Sequence, residues 1–124
     1  MDTIVVQETD RDVLDVLYTA LEIGGFNVYA LSALDDDFLE LIDKARPHVV
    51  VLDYVLSGEQ CIFICREIKR KYPQLPVLAL SCNSNIYDLY RKNGFDGYIE
   101  KPFDLDKLYE ILHRHIPKHT QARP

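Results

Sequence analysis

The stretch that decides the fold is Val49-Val50-Val51-Leu52, which is followed directly by Asp53. Consecutive apolar residues, most of them β-branched, favour a strand that is covered on both faces. Such strands occur inside parallel sheets that carry helices on each side. The run therefore predicts an inner strand of an α/β domain, with a carboxylate at its carboxyl end.

Strand and helix patterns alternate on both sides of this run. Further short apolar runs occupy residues 4–6, 26–31, 76–80 and 98–99. Apolar residues at helical spacing lie between these runs and after the last one. The alternation predicts right-handed crossovers and a parallel sheet. We expect a flavodoxin-like (βα)5 three-layer sandwich, whose five parallel strands lie in the order 2-1-3-4-5.

Local signals set several helix boundaries. Asp10 is a candidate N-cap for the first helix, and the third helix is predicted to run from about Glu59 to Lys71. The apolar stripe of the final helix is predicted to consist of Leu105, Leu108, Leu112 and Ile116.

Length and charge limit the class of protein. The chain has 124 residues, which predicts a single domain over residues 1–117 and a flexible C-terminal tail at 118–124. A net charge of −6 argues against direct nucleic-acid binding. No apolar run approaches the roughly 20 residues that span a bilayer, and the N-terminus lacks the pattern of a signal peptide. We therefore expect a cytoplasmic protein that does not associate with membranes.

The cysteines do not predict a disulfide framework. The chain has an odd number of cysteines, Cys61, Cys65 and Cys82, and their spacing is not CxxC. Free thiols in a reducing compartment fit this pattern better. We expect all three to be small core residues.

Polar residues follow the predicted strands at their carboxyl ends. Glu8 comes after the first strand, Asp53 after the third, Ser81 after the fourth and Lys101 after the fifth. These ends meet at the edge where open α/β sheets bind ligands. A carboxylate can form an acyl phosphate, and nearby cations offset the charge repulsion of that reaction. The set therefore predicts a phosphoryl-transfer site.

The strand-end motifs together resemble a known family. The segments that carry the resemblance are Ile4-Val5-Val6 leading into Glu8, Val50-Val51-Leu52-Asp53, Leu78-Ala79-Leu80-Ser81 and Gly97-Tyr98-Ile99-Glu100-Lys101-Pro102-Phe103. They are similar to the receiver domain of two-component response regulators, of the chemotaxis-regulator type. The likeness covers residues 3–116, and the motifs are specific only in combination.

The resemblance implies a role for each matching residue. Asp53 is expected to be the phosphoacceptor, and Lys101 the cation that pairs with the phosphoryl group. Ser81 is expected to be the switch hydroxyl and Tyr98 the switch aromatic, which turns inward when Ser81 moves toward the phosphate. The peptide bond between Lys101 and Pro102 is expected to be cis.

The resemblance also implies a Mg²⁺ site. Its ligands are expected to be Glu8, Asp53 and the main-chain carbonyl of Val55. The family has a second carboxylate where this chain has Thr9, so we expect a weaker metal site. Asp10 is a candidate replacement ligand, although the cap of the first helix is its simpler role.

The loop after Asp53 departs from the family pattern as well. Ser57 stands where the family often has proline, and Cys61 where it often has glycine. We expect Gly58 to supply the flexibility of this turn.

These observations lead to one favoured function and two alternatives. The favoured protein is not an enzyme but a receiver that takes a phosphoryl group from a sensor histidine kinase or a phosphotransfer protein. It then signals to an output partner protein, and a phosphorylation-dependent homodimer is a further candidate. The first alternative is a degenerate receiver that binds proteins independently of phosphorylation. The second, a flavin or nucleotide binder or a small hydrolase, is disfavoured because no glycine-rich loop follows the first strand.

Overall fold

The computed structural model describes residues 1–116, and the tail predicted at residues 118–124 lies outside the described residues. Within this range the strands are β1 (Thr3–Gln7), β2 (Asn27–Leu31), β3 (Val49–Asp53), β4 (Val77–Ser81) and β5 (Gly97–Glu100). The helices are α1 (Arg11–Ile23), α2 (Phe38–Ala45), α3 (Glu59–Lys71), α4 (Ile86–Leu89) and α5 (Leu105–His115). All strands pair in parallel in the order β2-β1-β3-β4-β5, which confirms the predicted topology.

The alternating side chains of β3 explain why helices cover both faces of the sheet. Val49 and Val51 pack in a core shared with α1 and α5, whereas Val50 and Leu52 pack in a second core shared with α2, α3 and α4. Because every apolar side chain of β3 is buried, neither face of this strand can be left to solvent. The predicted three-layer sandwich is therefore confirmed.

The first helix begins as its sequence predicts, but the stripe of the last helix needs a correction. Asp10 caps α1, since its Oδ1 accepts hydrogen bonds from the N–H groups of Asp12 at 2.9 Å and Val13 at 3.3 Å. In α5, Leu105 is 45% exposed and Ile111 is buried instead. Leu105 is the first residue of the helix, so it lies at the end of α5 rather than over the middle of the sheet.

Gly58 makes the sharp turn between β3 and α3, as predicted. Its φ of 75° lies in the left-handed region that favours glycine. A Cβ added there would overlap the ring of Tyr54. The Tyr54 hydroxyl donates to the Ser57 carbonyl at 3.3 Å and accepts from Asn93 Nδ2 at 3.3 Å. Gly58 is therefore required both by its backbone conformation and by the ring beside it.

The prediction of three core cysteines is right for two of them. Cys61 and Cys65 are buried on α3, and burial raises the pKa of each thiol to about 12. Cys82 is exposed, because it comes one residue after the end of β4 and lies in a loop. All three thiols are free, as expected.

Candidate functional site

The carboxyl ends of the strands bring the predicted polar residues to one edge of the sheet. Glu8 follows β1, Asp53 ends β3, Ser81 ends β4 and Lys101 follows β5. The N–H of Lys101 donates to the carbonyl oxygen of Ser81 at 2.8 Å, so the start of this loop is fixed to β4. The peptide bond between Lys101 and Pro102 is cis, as expected.

Lys101 joins the two carboxylates of this edge. Its Nζ lies 2.8 Å from Glu8 Oε1 and 3.1 Å from Asp53 Oδ1. The Glu8 side chain is 1% exposed and that of Asp53 is 4% exposed. One half-buried ammonium therefore compensates two buried carboxylates, and the three side chains carry a net charge of about −1.

The remaining carboxylate oxygens are held by main-chain donors from the loop after β1. The N–H of Thr9 donates to Asp53 Oδ2 at 3.0 Å, and the N–H of Asp10 donates to Glu8 Oε2 at 2.9 Å. Each of the four oxygens thus accepts one hydrogen bond and retains capacity for a second partner. The main chain of this loop therefore orients both carboxylates. Its residue Thr9 adds no negative charge to the site.

The surroundings fix the charges of Asp53 and Lys101. Burial raises the pKa of Asp53, but hydrogen bonds from Thr9 and Lys101 outweigh it, so this pKa lies below its ordinary value of 3.8. Burial lowers the pKa of Lys101, but hydrogen bonds to Glu8 and Asp53 outweigh it, so this pKa lies above its ordinary value of 10.5. At neutral pH the site therefore holds an ionised Asp53 and a protonated Lys101.

These shifts predict how the stability of the folded chain depends on pH. The contribution of Asp53 to the free energy of unfolding should be complete above pH 3.8. It should be lost as the pH falls through the lower pKa that Asp53 has in the folded chain. The contribution of Lys101 to the free energy of unfolding should be complete below pH 10.5. It should be lost as the pH rises through the higher pKa that Lys101 has in the folded chain. Urea unfolding of the wild type and of Lys101→Met, followed by far-UV circular dichroism, should show a stability gap at neutral pH that shrinks in acid, as Asp53 is protonated, and in alkali, as Lys101 loses its proton. A stability gap that is absent at neutral pH would contradict the assigned charges.

Ser81 and Tyr98 lie on neighbouring strands but in different surroundings. Ser81 is fully buried at the end of β4, and its Oγ accepts a hydrogen bond from the N–H of Asn83 at 2.9 Å. Tyr98 on β5 is half-buried, and its ring lies 6.2 Å from that of Tyr87 and 5.0 Å from that of Tyr90, centroid to centroid. The aromatic cluster connects β5 to the short helix α4 and to the residue that follows it.

The donor set at this edge fits a magnesium ion. Mg²⁺ usually binds through one or two carboxylates, with water and phosphate oxygens completing its shell. Glu8 and Asp53 supply two hard carboxylate ligands with free acceptor capacity. Within residues 1–116, no group of three or more His, Cys, Asp or Glu side chains is arranged to hold a metal ion. The two carboxylates of Glu8 and Asp53 would thus suit a cation that keeps most of its waters.

The comparisons with known proteins identify the family. The family model described as the response regulator receiver domain matches residues 4–113. The chain belongs to this family. Receiver domains of two-component systems interact with histidine kinases and output domains and generally bind Mg²⁺ at their acidic pocket. The match gives no support to the alternative of a phosphorylation-independent binding module.

Solved receiver structures have the same fold. An N-terminal signal receiver domain of a response regulator from Bacteroides fragilis is 29% identical, with a TM-score of 0.80, and the match covers 95% of this chain and 98% of that one. The receiver domain of NtrX from Brucella abortus is 30% identical, with a TM-score of 0.75, covering 90% and 96%. The chemotaxis protein CheY4 of Vibrio cholerae, at 20% identity and a TM-score of 0.78, covers 94% and 99% and shares the fold.

Two further residues, Val55 and Asp10, were assigned to the metal site from the sequence. The carbonyl of Val55 accepts a hydrogen bond from the N–H of Gly58 at 2.9 Å, within the loop that leaves β3. Asp10 directs its Oδ1 to the N-terminus of α1, as its capping role requires. Their metal roles stay predictions. An open crevice of about 320 Å³, lined in part by Thr9 and Leu56, lies beside Asp53.

Sequence reasoning assigned no role to one buried polar residue of this receiver domain. Gln7, the last residue of β1, accepts a hydrogen bond from the main-chain N–H of Asp53 at 3.3 Å. The sequence feature that could have pointed to Gln7 is its polar side chain at the end of an apolar strand run.

The described part of the chain has no helix that combines the length and the apolar character needed to cross a bilayer.

Proposed function

We propose that this receiver domain accepts a phosphoryl group on Asp53 from a phosphohistidine of a sensor histidine kinase or a phosphotransfer protein. The observation that carries the proposal is the contact of Lys101 Nζ with both Asp53 at 3.1 Å and Glu8 at 2.8 Å. Three residues that are distant in sequence thereby form a site with an ionised nucleophile, a cation and a second carboxylate. Membership of the receiver family supports the same role.

The reaction forms one bond and breaks another. A carboxylate oxygen of Asp53 forms a P–O bond as the P–N bond of the donor phosphohistidine breaks. The donor ring, protonated on its other nitrogen, keeps the electron pair of that bond and leaves as neutral imidazole. The product is an acyl phosphate on Asp53. Lys101 stabilises the additional negative charge on the phosphoryl oxygens. The acceptor is itself modified, so we assign the chain a signalling role and no enzymatic turnover.

The proposed cofactor is Mg²⁺, held by Glu8, Asp53 and the main-chain carbonyl of Val55. When bound, it would offset the repulsion between the acceptor carboxylate and the incoming phosphoryl group. Thr9 contributes a main-chain donor instead of a carboxylate. We therefore expect a higher Mg²⁺ requirement than a site with three carboxylates would have.

The proposed output is a change in conformation around Ser81 and Tyr98. The Ser81 hydroxyl oxygen accepts from Asn83, and its own proton can be donated to a phosphoryl oxygen. Movement of Ser81 would make room for Tyr98 to leave its contacts with Tyr87 and Tyr90. A partner protein, or a second copy of the chain in a phosphorylation-dependent homodimer, would read the altered surface. We place these events in the cytoplasm and without direct binding of nucleic acid.

The test is labelling of the purified protein with acetyl phosphate, with and without Mg²⁺, followed by intact mass. The wild type should gain one phosphoryl group only with Mg²⁺, and Asp53→Asn should gain none, because its amide is not a nucleophile toward phosphorus. Thr9→Asp should reach half-maximal labelling at a lower Mg²⁺ concentration, since it restores a carboxylate. An unlabelled wild type at saturating Mg²⁺, or a labelled Asp53→Asn, would contradict the proposal.

A further inference from the structure

Gln7 is a buried polar residue at the sheet edge that carries Asp53. It joins its own strand β1 to the end of β3 and to the loop after β2. It ends the otherwise apolar strand β1 and is 3% exposed. Its Oε1 accepts from the main-chain N–H of Asp53 at 3.3 Å, and its Nε2 donates to the carbonyl oxygen of Ser32 at 3.2 Å. One side-chain amide therefore connects the end of β3 to the loop after β2.

The two bonds add to main-chain pairing at the point where the ladders of β1 end. The ladder between β1 and β3 stops at the pair of Gln7 and Leu52, and that between β1 and β2 stops at Gln7 and Leu31. The N–H of Tyr54 donates across to Leu80 of β4, so the preceding N–H, that of Asp53, points toward β1. The amide of Gln7 therefore places a side-chain acceptor on the β1 side of this buried donor, at the last pair of the β1–β3 ladder.

An amide is suited to this place because it has both an acceptor and a donor. A glutamate side chain in its ionised form could accept from Asp53 but could not donate to Ser32. A methionine of similar length could do neither. The hydrogen bonds therefore explain why a polar side chain ends an apolar strand.

We propose that Gln7 is a positioning residue, which fixes the main chain of Asp53 and couples it to the loop at residues 32–37. The inference rests on the proposed role of Asp53 as phosphoacceptor. The carboxylate of Asp53 is held separately, by Thr9 at Oδ2 and Lys101 at Oδ1. Gln7 acts on the main chain alone, and it is the contact through which a change at Asp53 reaches the loop before α2.

The chain offers a matched control for the loop contact. Gln60 on α3 donates its Nε2 to the carbonyl oxygen of Leu34 at 3.1 Å. It is exposed and binds the same loop with the same kind of group. No hydrogen bond links its side chain to Asp53 among the described residues. Gln60→Met therefore removes an equivalent bond to the loop without disturbing the main chain of the acceptor.

The experiment compares the wild type, Gln7→Met and Gln60→Met by amide NMR and by labelling with acetyl phosphate and Mg²⁺. In Gln7→Met the Asp53 amide proton should move upfield, and the labelling rate should fall about tenfold, which corresponds to ~1.4 kcal/mol. Addition of BeF₃⁻ with Mg²⁺ should shift amides of residues 32–37 in the wild type and in Gln60→Met. The same loop should not respond in Gln7→Met.

Gln7→Glu separates the positioning role from general stability. It should keep the hydrogen-bonded shift of the Asp53 amide while the loop loses its response to BeF₃⁻. An unchanged Asp53 amide in Gln7→Met would overturn the proposal, as would a loop that responds equally in Gln7→Met and the wild type. If the wild type takes up neither phosphoryl group nor BeF₃⁻, the proposed function fails. The amide shift of the unmodified variants then still decides whether Gln7 holds Asp53.

Discussion

Lys101→Met is expected to lower the free energy of unfolding by about 3 kcal/mol near neutral pH, at the lower end of the effect of breaking a buried ion pair. Lys101 is the cation in contact with the carboxylates of Glu8 and Asp53, which are 1% and 4% exposed. Methionine is similar in length but has no charge and no N–H donor. The two carboxylates would then remain buried together without a cation, at a desolvation cost that the ion pairs had offset.

The measurement is urea unfolding followed by far-UV circular dichroism, because the chain has no tryptophan. Lys71→Met is the matched control: its partner is Asp43, at 2.8 Å, and the two side chains are 53% and 39% exposed. This surface pair should contribute less than about 1 kcal/mol. Adding Glu8→Gln to Lys101→Met should restore stability, since it removes one of the uncompensated charges. Equal losses in Lys101→Met and Lys71→Met would show that Lys101 does not compensate buried charge.

Gly58→Ala is expected to lower the free energy of unfolding by about 2–5 kcal/mol. An L-residue in the left-handed conformation costs roughly 1–2 kcal/mol, and an overpacked contact adds roughly 1–3 kcal/mol. Gly58 has a φ of 75°, and its added Cβ would overlap the ring of Tyr54. That ring cannot move aside easily, because it is buried against Phe95 and its hydroxyl is hydrogen-bonded to Ser57 and Asn93.

Gly94→Ala isolates the conformational part of this effect. Gly94 has a φ of 97° but nothing within 4 Å of its added Cβ, so only the backbone cost of about 1–2 kcal/mol should appear. The larger loss in Gly58→Ala should shrink toward that value in a Tyr54→Leu background. If Gly58→Ala and Gly94→Ala lose the same stability, the contact with Tyr54 contributes nothing, and the turn requires glycine for its φ alone.

Much of the fold was predictable because its signals are local. The apolar run at Val49–Asp53 predicts a strand buried on both faces, and strand–helix alternation predicts a parallel sheet whatever the contacts are. The cap at Asp10 and the turn at Gly58 also follow from residue type. The prediction was wrong for the burial of Cys82 and Leu105, because burial at the end of an element depends on what packs there.

The candidate site was predictable as a set of residues but not as an arrangement of atoms. The topology rule places Glu8, Asp53 and Lys101 at one edge, because the carboxyl ends of parallel strands meet there. It does not say that Lys101 contacts both carboxylates, or that Thr9 holds Asp53 through its main chain. Gln7 was missed for the same reason, because its partners depend on where the strand ladders stop. The roles taken from the family for Ser81, Tyr98 and Val55 stay predictions.

The sequence by itself determined the order of strands and helices, the buried strand β3 and the residues that end each strand. These follow from hydrophobic periodicity and turn residues, which act over a few positions of the chain. Only the tertiary structure decided the partners of the charged and polar groups. Glu8 and Lys101 are 93 positions apart, and Gln7 and Asp53 are 46 apart. Hydrogen bonds between such distant residues depend on how the strand ends register in space, and no local pattern encodes that register.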